Sequence, residues 1–150
     1  MKRILSSLLI IMAATSVIAG SRGDFEGLSV DAAKHYDWKA KGGKDYAAKF
    51  SDWSTEPMLH AMNACGSQPF TNRYCDIIAV VAADGHVRRL LFSPRNSYVA
   101  CVQKDLRLGA VAPKPPADSW PVQIRLIDGP RPKYKGGDKP FIILSSGHVE

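Results

Sequence analysis

The histidines and cysteines are the side chains of this 150-residue chain best suited to metal or nucleophilic chemistry. The four histidines are His35, His60, His86 and His148. No two of them have the His-x-x-x-His or His-Glu-x-x-His spacing with which a helix presents two zinc ligands. The serine motifs Gly-x-Ser-x-Gly and Ser-x-x-Lys do not occur either. The sequence therefore predicts no catalytic residues, no metal site and no cofactor.

The three cysteines are Cys65, Cys75 and Cys101. A Cys–His enzyme needs an accessible thiol with a lowered pKa. In an oxidising compartment, two of these cysteines are instead expected to form a structural disulfide, which leaves the third as a thiol. Spacing alone does not decide which two pair.

The first residues predict the compartment. Lys2 and Arg3 precede a mainly apolar run over residues 4–14, and Val17 and Ala19 occupy the −3 and −1 positions of an A-x-A-like cleavage site. This pattern predicts a cleavable secretory signal over residues 1–19. The run is shorter than the roughly 20 apolar residues of a membrane-spanning helix. We therefore expect a periplasmic or secreted protein, with no stable membrane insertion after cleavage.

The basic residues indicate the kind of partner to expect. The formal net charge is +6. A candidate partner-binding surface consists of Arg88, Arg89, Arg131, Lys133, Tyr134 and Lys135. Such a surface would suit an envelope protein or an anionic envelope polymer, while the alternative is an ordinary solvated face. Nucleic acid is not expected, because the compartment is wrong and no aromatic-basic motif accompanies the charge.

The strongest structural signal lies in the middle of the chain. The apolar run 77–83 meets Asp84-Gly85 and a second apolar stretch up to residue 92, which predicts a hairpin with a type I′ turn. A helix begins before it, at Ser54 or Thr55, and ends at Gly66.

After the hairpin, Asn96 or Ser97 is predicted to cap a helix that continues to about Leu108. Trp120 then opens a strand of alternating apolar and polar residues.

These elements define four segments: a signal at 1–19, an irregular lead-in with a short helix at 20–53, the main domain at 54–128, and a basic Pro/Gly-rich loop with a short terminal strand at 129–150. The predicted fold class is α+β, with two layers. Two helices pack on a small antiparallel sheet in the order α-β-β-α-β, with a candidate extra strand at the C-terminus.

The order of these elements resembles the TonB-type C-terminal domain superfamily, and in particular its cysteine-bearing periplasmic domains of the AgmX/PglI kind. The resemblance covers residues 65–127. It is carried mainly by the hairpin sequence at 79–87 and by Val99-Ala100-Cys101-Val102 in the second helix. It implies a periplasmic domain of this fold.

The resemblance also implies a disulfide between Cys65 and Cys101. Both cysteines are predicted on the core-facing sides of helices that pack on one sheet. The alternative bridge, Cys65 to Cys75, closes a shorter loop and stays open, because connectivity does not follow from sequence alone.

The preferred function is a non-enzymatic interaction domain of the cell envelope whose ligand is not identified. The alternative is a small secreted enzyme or enzyme inhibitor. A concave site with a histidine or aspartate beside Cys75 would favour that alternative.

Overall fold

The computed structural model describes residues 22–36, 41–66, 74–129 and 142–145. In these ranges the helices are α1 (Arg22–His35), α2 (Gly43–Gly66) and α3 (Ser97–Asp105). The strands are β1 (Tyr74–Val81), β2 (Val87–Ser93), β3 (Trp120–Ile127) and β4 (Ile142–Ser145). The predicted α+β fold, with helices packed on a small sheet, is confirmed. The predicted signal and most of the segment 129–150 lie outside the described residues.

The four strands form one sheet in the order β2-β1-β3-β4. β1 is antiparallel to both β2 and β3, as predicted. β4 lies parallel to β3, with Ile142 opposite Ile124, so the sheet is mixed rather than purely antiparallel. β1 is therefore an interior strand, and every residue after Tyr74 in it is buried.

Helices cover both faces of this sheet. α2 and α3 pack on the face that carries Ile77 and Ile124. On the opposite face, Phe25 and Leu28 of α1 pack against a cluster that contains Ile78, Val80 and Leu91. Ser29 of α1 also donates a hydrogen bond to the side-chain oxygen of Gln123 at 2.8 Å.

The prediction of an irregular lead-in with a short helix over residues 20–53 is corrected in its first part, which is occupied by α1 and forms a third layer. Its apolar contact residues, Phe25 and Leu28, stand in a stretch rich in glycine, serine and aspartate. This composition gives little helical periodicity in the sequence.

α2 is one helix of 24 residues, whereas the sequence predicted a break before Ser54. Ser54 and Thr55 do not cap a new helix, because both hydroxyls donate to the carbonyl oxygen of Ser51, at 3.4 and 2.6 Å. Pro57 lies inside the helix. Phe50 and Met58, on the two sides of Pro57, are buried in the same hydrophobic core. Their packing offsets the backbone hydrogen bond that proline cannot make.

None of the described helices offers a sufficiently long apolar stretch to cross a bilayer.

The predicted hairpin of β1 and β2 is confirmed, but its turn differs. The N–H of Ala82 donates to the His86 carbonyl and the N–H of Gly85 donates to the Ala82 carbonyl, both at 2.9 Å. Gly85 has a φ of 91°, and Ser119 is the non-glycine residue with positive φ in the described ranges, so Asp84 has negative φ. The connection is therefore a three-residue turn with a left-handed glycine, not a type I′ turn.

Gly85 also touches the connector between α3 and β3. Its carbonyl accepts a hydrogen bond from the Ala112 N–H at 2.8 Å. A Cβ atom at Gly85 would overlap the carbonyl oxygen of Ala112 and lie 2.9 Å from Val111 Cγ1. Both the positive φ and this close approach require glycine here.

A disulfide joins the end of α2 to α3. It links Cys65 and Cys101, whose Cα atoms are 6.0 Å apart. The pairing implied by the resemblance is thus confirmed, and the alternative with Cys75 is wrong. Cys75 is a buried thiol on β1. Burial raises the pKa of this thiol well above its ordinary value, and the charge of Asp76 adds to the shift.

We expect Gly85→Ala to lower the free energy of unfolding by about 2–3 kcal/mol, from backbone strain and displacement of the connector. Gly27→Ala is the matched control, because a Cβ on this exposed helical glycine meets no heavy atom within 4 Å. The control should gain about 0.5–1 kcal/mol through helix propensity. Urea unfolding of both variants measures the difference, and equal stability of Gly85→Ala and wild type would contradict the turn described here.

The double variant Cys65→Ala/Cys101→Ala should lose roughly 3–4 kcal/mol, because the unfolded chain gains the entropy that a 36-residue loop restricts. Chemical unfolding of the variant against the oxidised wild type measures this loss.

In the folded, oxidised wild type, iodoacetamide at about pH 8 should leave Cys75 unmodified, since only the thiolate reacts. Denaturant should expose Cys75 to the reagent. A tryptic peptide with Cys65 bonded to Cys75 would contradict the pairing.

Candidate functional site

β2 is an edge strand of the sheet. It pairs with β1 on one side, and no strand among the described residues pairs with its other side. An edge strand presents backbone N–H and C=O groups that can bind another extended chain. The sheet thus offers a polar backbone edge along β2.

A groove with a volume of about 400 Å³ lies between β2 and α3. Leu90, Leu91 and Phe92 line it from the strand, and Val99, Ala100 and Gln103 line it from the helix. Arg95, Asn96 and Ser97 form its end, where the chain passes from the strand into the helix. The groove combines apolar walls with a polar end.

Local sequence signals place α3 beside the strand. The side-chain oxygen of Asn96 accepts a hydrogen bond from the Val99 N–H at 2.8 Å, which confirms the predicted cap. The helix therefore begins directly after β2. It ends at Asp105 rather than near Leu108, and the N–H of Leu106 donates back to the Val102 carbonyl at 2.8 Å.

Two of the predicted partner-binding residues are described, and both are on β2. Arg88 is exposed, and Arg89 is half-buried. They lie at an irregularity of the hairpin, since Val80 pairs with Arg89 while Val81 pairs with Val87. Arg88 is thus the additional residue of a β-bulge. The other four predicted residues, Arg131, Lys133, Tyr134 and Lys135, lie outside the described residues.

Carboxylates accompany both arginines. A guanidinium nitrogen of Arg89 lies 3.7 Å from Asp24 of α1. The pKa of Asp84 is lowered, first by the hydrogen bond from the His86 N–H and also by the charge of Arg88. The positive charge near the hairpin turn is therefore partly balanced within the chain.

The charge of Arg88 also acts on Asp118. The pKa of its carboxyl group is lowered mainly by the hydrogen bond from the Ala83 N–H, and the charge of Arg88 contributes. This hydrogen bond is 2.8 Å long and attaches the connector after α3 to the hairpin turn.

A second charged pair, which the sequence did not predict, joins β1 and β3. Arg125 Nε and Nη2 donate to the two carboxylate oxygens of Asp76, at 2.5 and 2.6 Å. The guanidinium carbon lies 5.5 Å from the ring centroid of Tyr74. Asp76 and Arg125 are cross-strand neighbours, and the pairing satisfies a nearly buried carboxylate. The geometry supports a structural role for this pair.

Asp105 lies close to the disulfide. Its Oδ2 atom is 3.8 Å from the sulfur of Cys65 and 3.6 Å from that of Cys101. These three residues could offer ligand atoms to a metal only as thiolates and a carboxylate. Because the two sulfurs are bonded to each other, neither is a thiolate.

Cys75 does not line the groove beside β2, and its side chain is fully buried. The feature that would favour a Cys-dependent enzyme is therefore not present at this groove.

Comparison of the chain with protein-family models, curated proteins and solved structures found no match.

Proposed function

We propose that this chain is an exported, non-enzymatic interaction domain that binds an extended segment of an envelope protein along β2. The observation that carries the proposal is the groove beside an edge strand whose outer side pairs with no described strand. The resemblance to TonB-type C-terminal domains supports the same proposal.

A strand added by the partner would use both the backbone edge of β2 and the groove beside it. Its backbone would form hydrogen bonds with the outer edge of β2, and these bonds do not depend on the partner's sequence. Its side chains would alternate between the two sheet faces, with those on one face about 6–7 Å apart. Leu90 and Phe92 follow the same spacing on β2. Apolar side chains at alternate positions of the partner would therefore enter the groove.

The charge of residues 87–95 favours a partner segment that also carries acidic residues. Residues 87–95 contain Arg88, Arg89 and Arg95 and no acidic residue. Arg89 pairs with Asp24 of α1, so Arg88 and Arg95 supply the exposed positive charge of this stretch. Arg95 is exposed at the end of the groove. A partner segment with acidic residues next to its apolar positions would complement this arrangement. An anionic envelope polymer would meet the same arginines, although it would make no use of the backbone edge.

The proposed location has its own test. Removal of residues 1–19 would leave Gly20 as the first residue, because Val17 and Ala19 fit the signal-peptidase site. Intact-mass measurement of the protein from the periplasmic or extracellular fraction should give a chain that begins at Gly20 or within about two residues of it. A membrane-bound product that retains Met1 would contradict export by this route.

The binding site is tested by photo-crosslinking in the cell envelope. A photoreactive residue at Gln103, which lines the groove, should yield a discrete adduct with a protein. The same residue at Ala48, which is exposed on α2 and does not line the groove, should not.

The additional change Ala100→Trp fills the groove from the exposed side of α3 and should reduce the adduct by at least about tenfold. The matched control, Ala48→Trp, should leave the adduct unchanged. An adduct that persists after the groove is filled would exclude the groove as the binding site. Equal capture from positions 103 and 48 would contradict the proposal as well.

A further inference from the structure

A second cavity shares no lining residue with the groove beside β2. Its volume is about 460 Å³. It is lined by Trp53, Glu56, Pro57, His60, Arg107 and Gly109. The first four residues belong to α2 and the last two to the connector after α3. This cavity is called the Trp53 pocket below.

The helical repeat brings the residues of α2 together. Glu56 and His60 follow Trp53 by three and seven positions, so all three lie on one face of the helix. Glu56 and His60 are exposed, while Trp53 is half-buried. This face therefore presents an aromatic surface with a carboxylate and an imidazole beside it.

Phe50 and the backbone at Gly109 both lie close to the indole of Trp53. Its ring centroid lies 5.2 Å from that of Phe50, with an angle of 59° between the planes. A Cβ atom at Gly109 would be only 3.2 Å from the indole nitrogen, so the backbone approaches the ring closely. Trp53 is thus a preorganised wall of the pocket rather than a mobile surface side chain.

Arg107 is also fixed by backbone groups. Its Nη1 atom donates to the carbonyl oxygens of Lys104 and Leu106, at 2.5 and 2.9 Å. These carbonyls belong to the C-terminal end of α3, where a cation is favoured. The remaining N–H groups, on Nε and Nη2, provide donors for a carboxylate.

Glu56 and Arg107 line the same pocket, yet no ion pair joins them among the described residues. Two opposite charges therefore line one pocket beside an aromatic side chain without pairing with each other. A ligand that carries a carboxylate and an ammonium group on an apolar body would satisfy both charges at once. Its apolar part would lie against Trp53.

From this arrangement we infer that the Trp53 pocket binds a small zwitterion of the amino-acid or short-peptide class. The ligand's carboxylate binds Arg107, its ammonium group binds Glu56, and its apolar side chain packs on Trp53. His60 supplies a further hydrogen bond at the rim. This site is independent of the strand-binding function proposed for β2.

The dipeptide alanyl-leucine is a suitable probe, with NMR of the mature, oxidised, ¹⁵N-labelled protein as the measurement. Titration should move the indole N–H signal of Trp53 with a Kd on the order of 1 mM, as expected for a ligand of this size. The indole signal of Trp120, which is buried in the core, should not move. N-acetylated and C-amidated dipeptides each lose one charge and should bind at least about fivefold more weakly.

Variants test which residue of the pocket binds each charged group of the dipeptide. Arg107→Gln should weaken binding of the dipeptide and abolish the preference for a free carboxylate, while Glu56→Gln should abolish the preference for a free amine. Lys104→Gln is the matched control, because this exposed side chain is not among those that line the pocket. It should bind like wild type. Thermal unfolding of each variant verifies that the fold is retained.

Three results would overturn the inference. One is a Trp53 signal that does not move with the dipeptide at about 20-fold the expected Kd. Another is equal binding by the charged and the capped dipeptides. The third is a stronger response to an uncharged hexose or a uronic acid, which would assign the pocket to sugars instead.

Discussion

Residues 75–81 of strand β1 are buried on both faces of the sheet, and the other elements cover these faces. A strand with a polar outer face needs one covering layer, whereas one that is apolar throughout needs two. Its side chains alternate between the faces, with Ile77 towards α2 and α3 and Ile78 towards α1. β2 and β3 satisfy its backbone on either side. The three-layer arrangement therefore follows from the apolar character of one central strand.

Sequence reasoning predicted the elements whose signals are local. Gly85 predicted a tight turn, Asn96 predicted the start of a helix, and the alternating residues after Trp120 predicted a strand. All three elements are present. The long-range features were missed. The apolar run 77–83 is continuous rather than alternating, which is the signal for burial on both faces. The residues that cover the second face, such as Phe25 and Leu28, are too few to be recognised before the sheet is known. The parallel direction of β4 has no local signal, because it depends on the route of the chain.

In the candidate sites, too, local features were predicted from the sequence and long-range features were not. Arg88 and Arg89 were identified by residue type, but the groove beside them was not. Ala100 and Gln103 are exposed residues of α3, and only the neighbouring edge strand makes their side of the helix one wall of a groove. The Trp53 pocket depends similarly on Gly109, whose closeness to the indole joins residues more than 50 positions apart. A sequence specifies its helices and turns more directly than the cavities formed between them.

The connector between α3 and β3 contains no helix or strand, and its prolines suggest a simple linker. Its contacts indicate otherwise. Ala112 bonds to Gly85, the Tyr46 hydroxyl donates to the Pro113 carbonyl at 3.0 Å, and Asp118 bonds to Ala83. The connector therefore links the hairpin turn to α2. For protein engineering, this makes it a poor position for new chain termini or an inserted tag. Such a cut would release the turn and the helix from each other, even though loop composition alone would recommend the position.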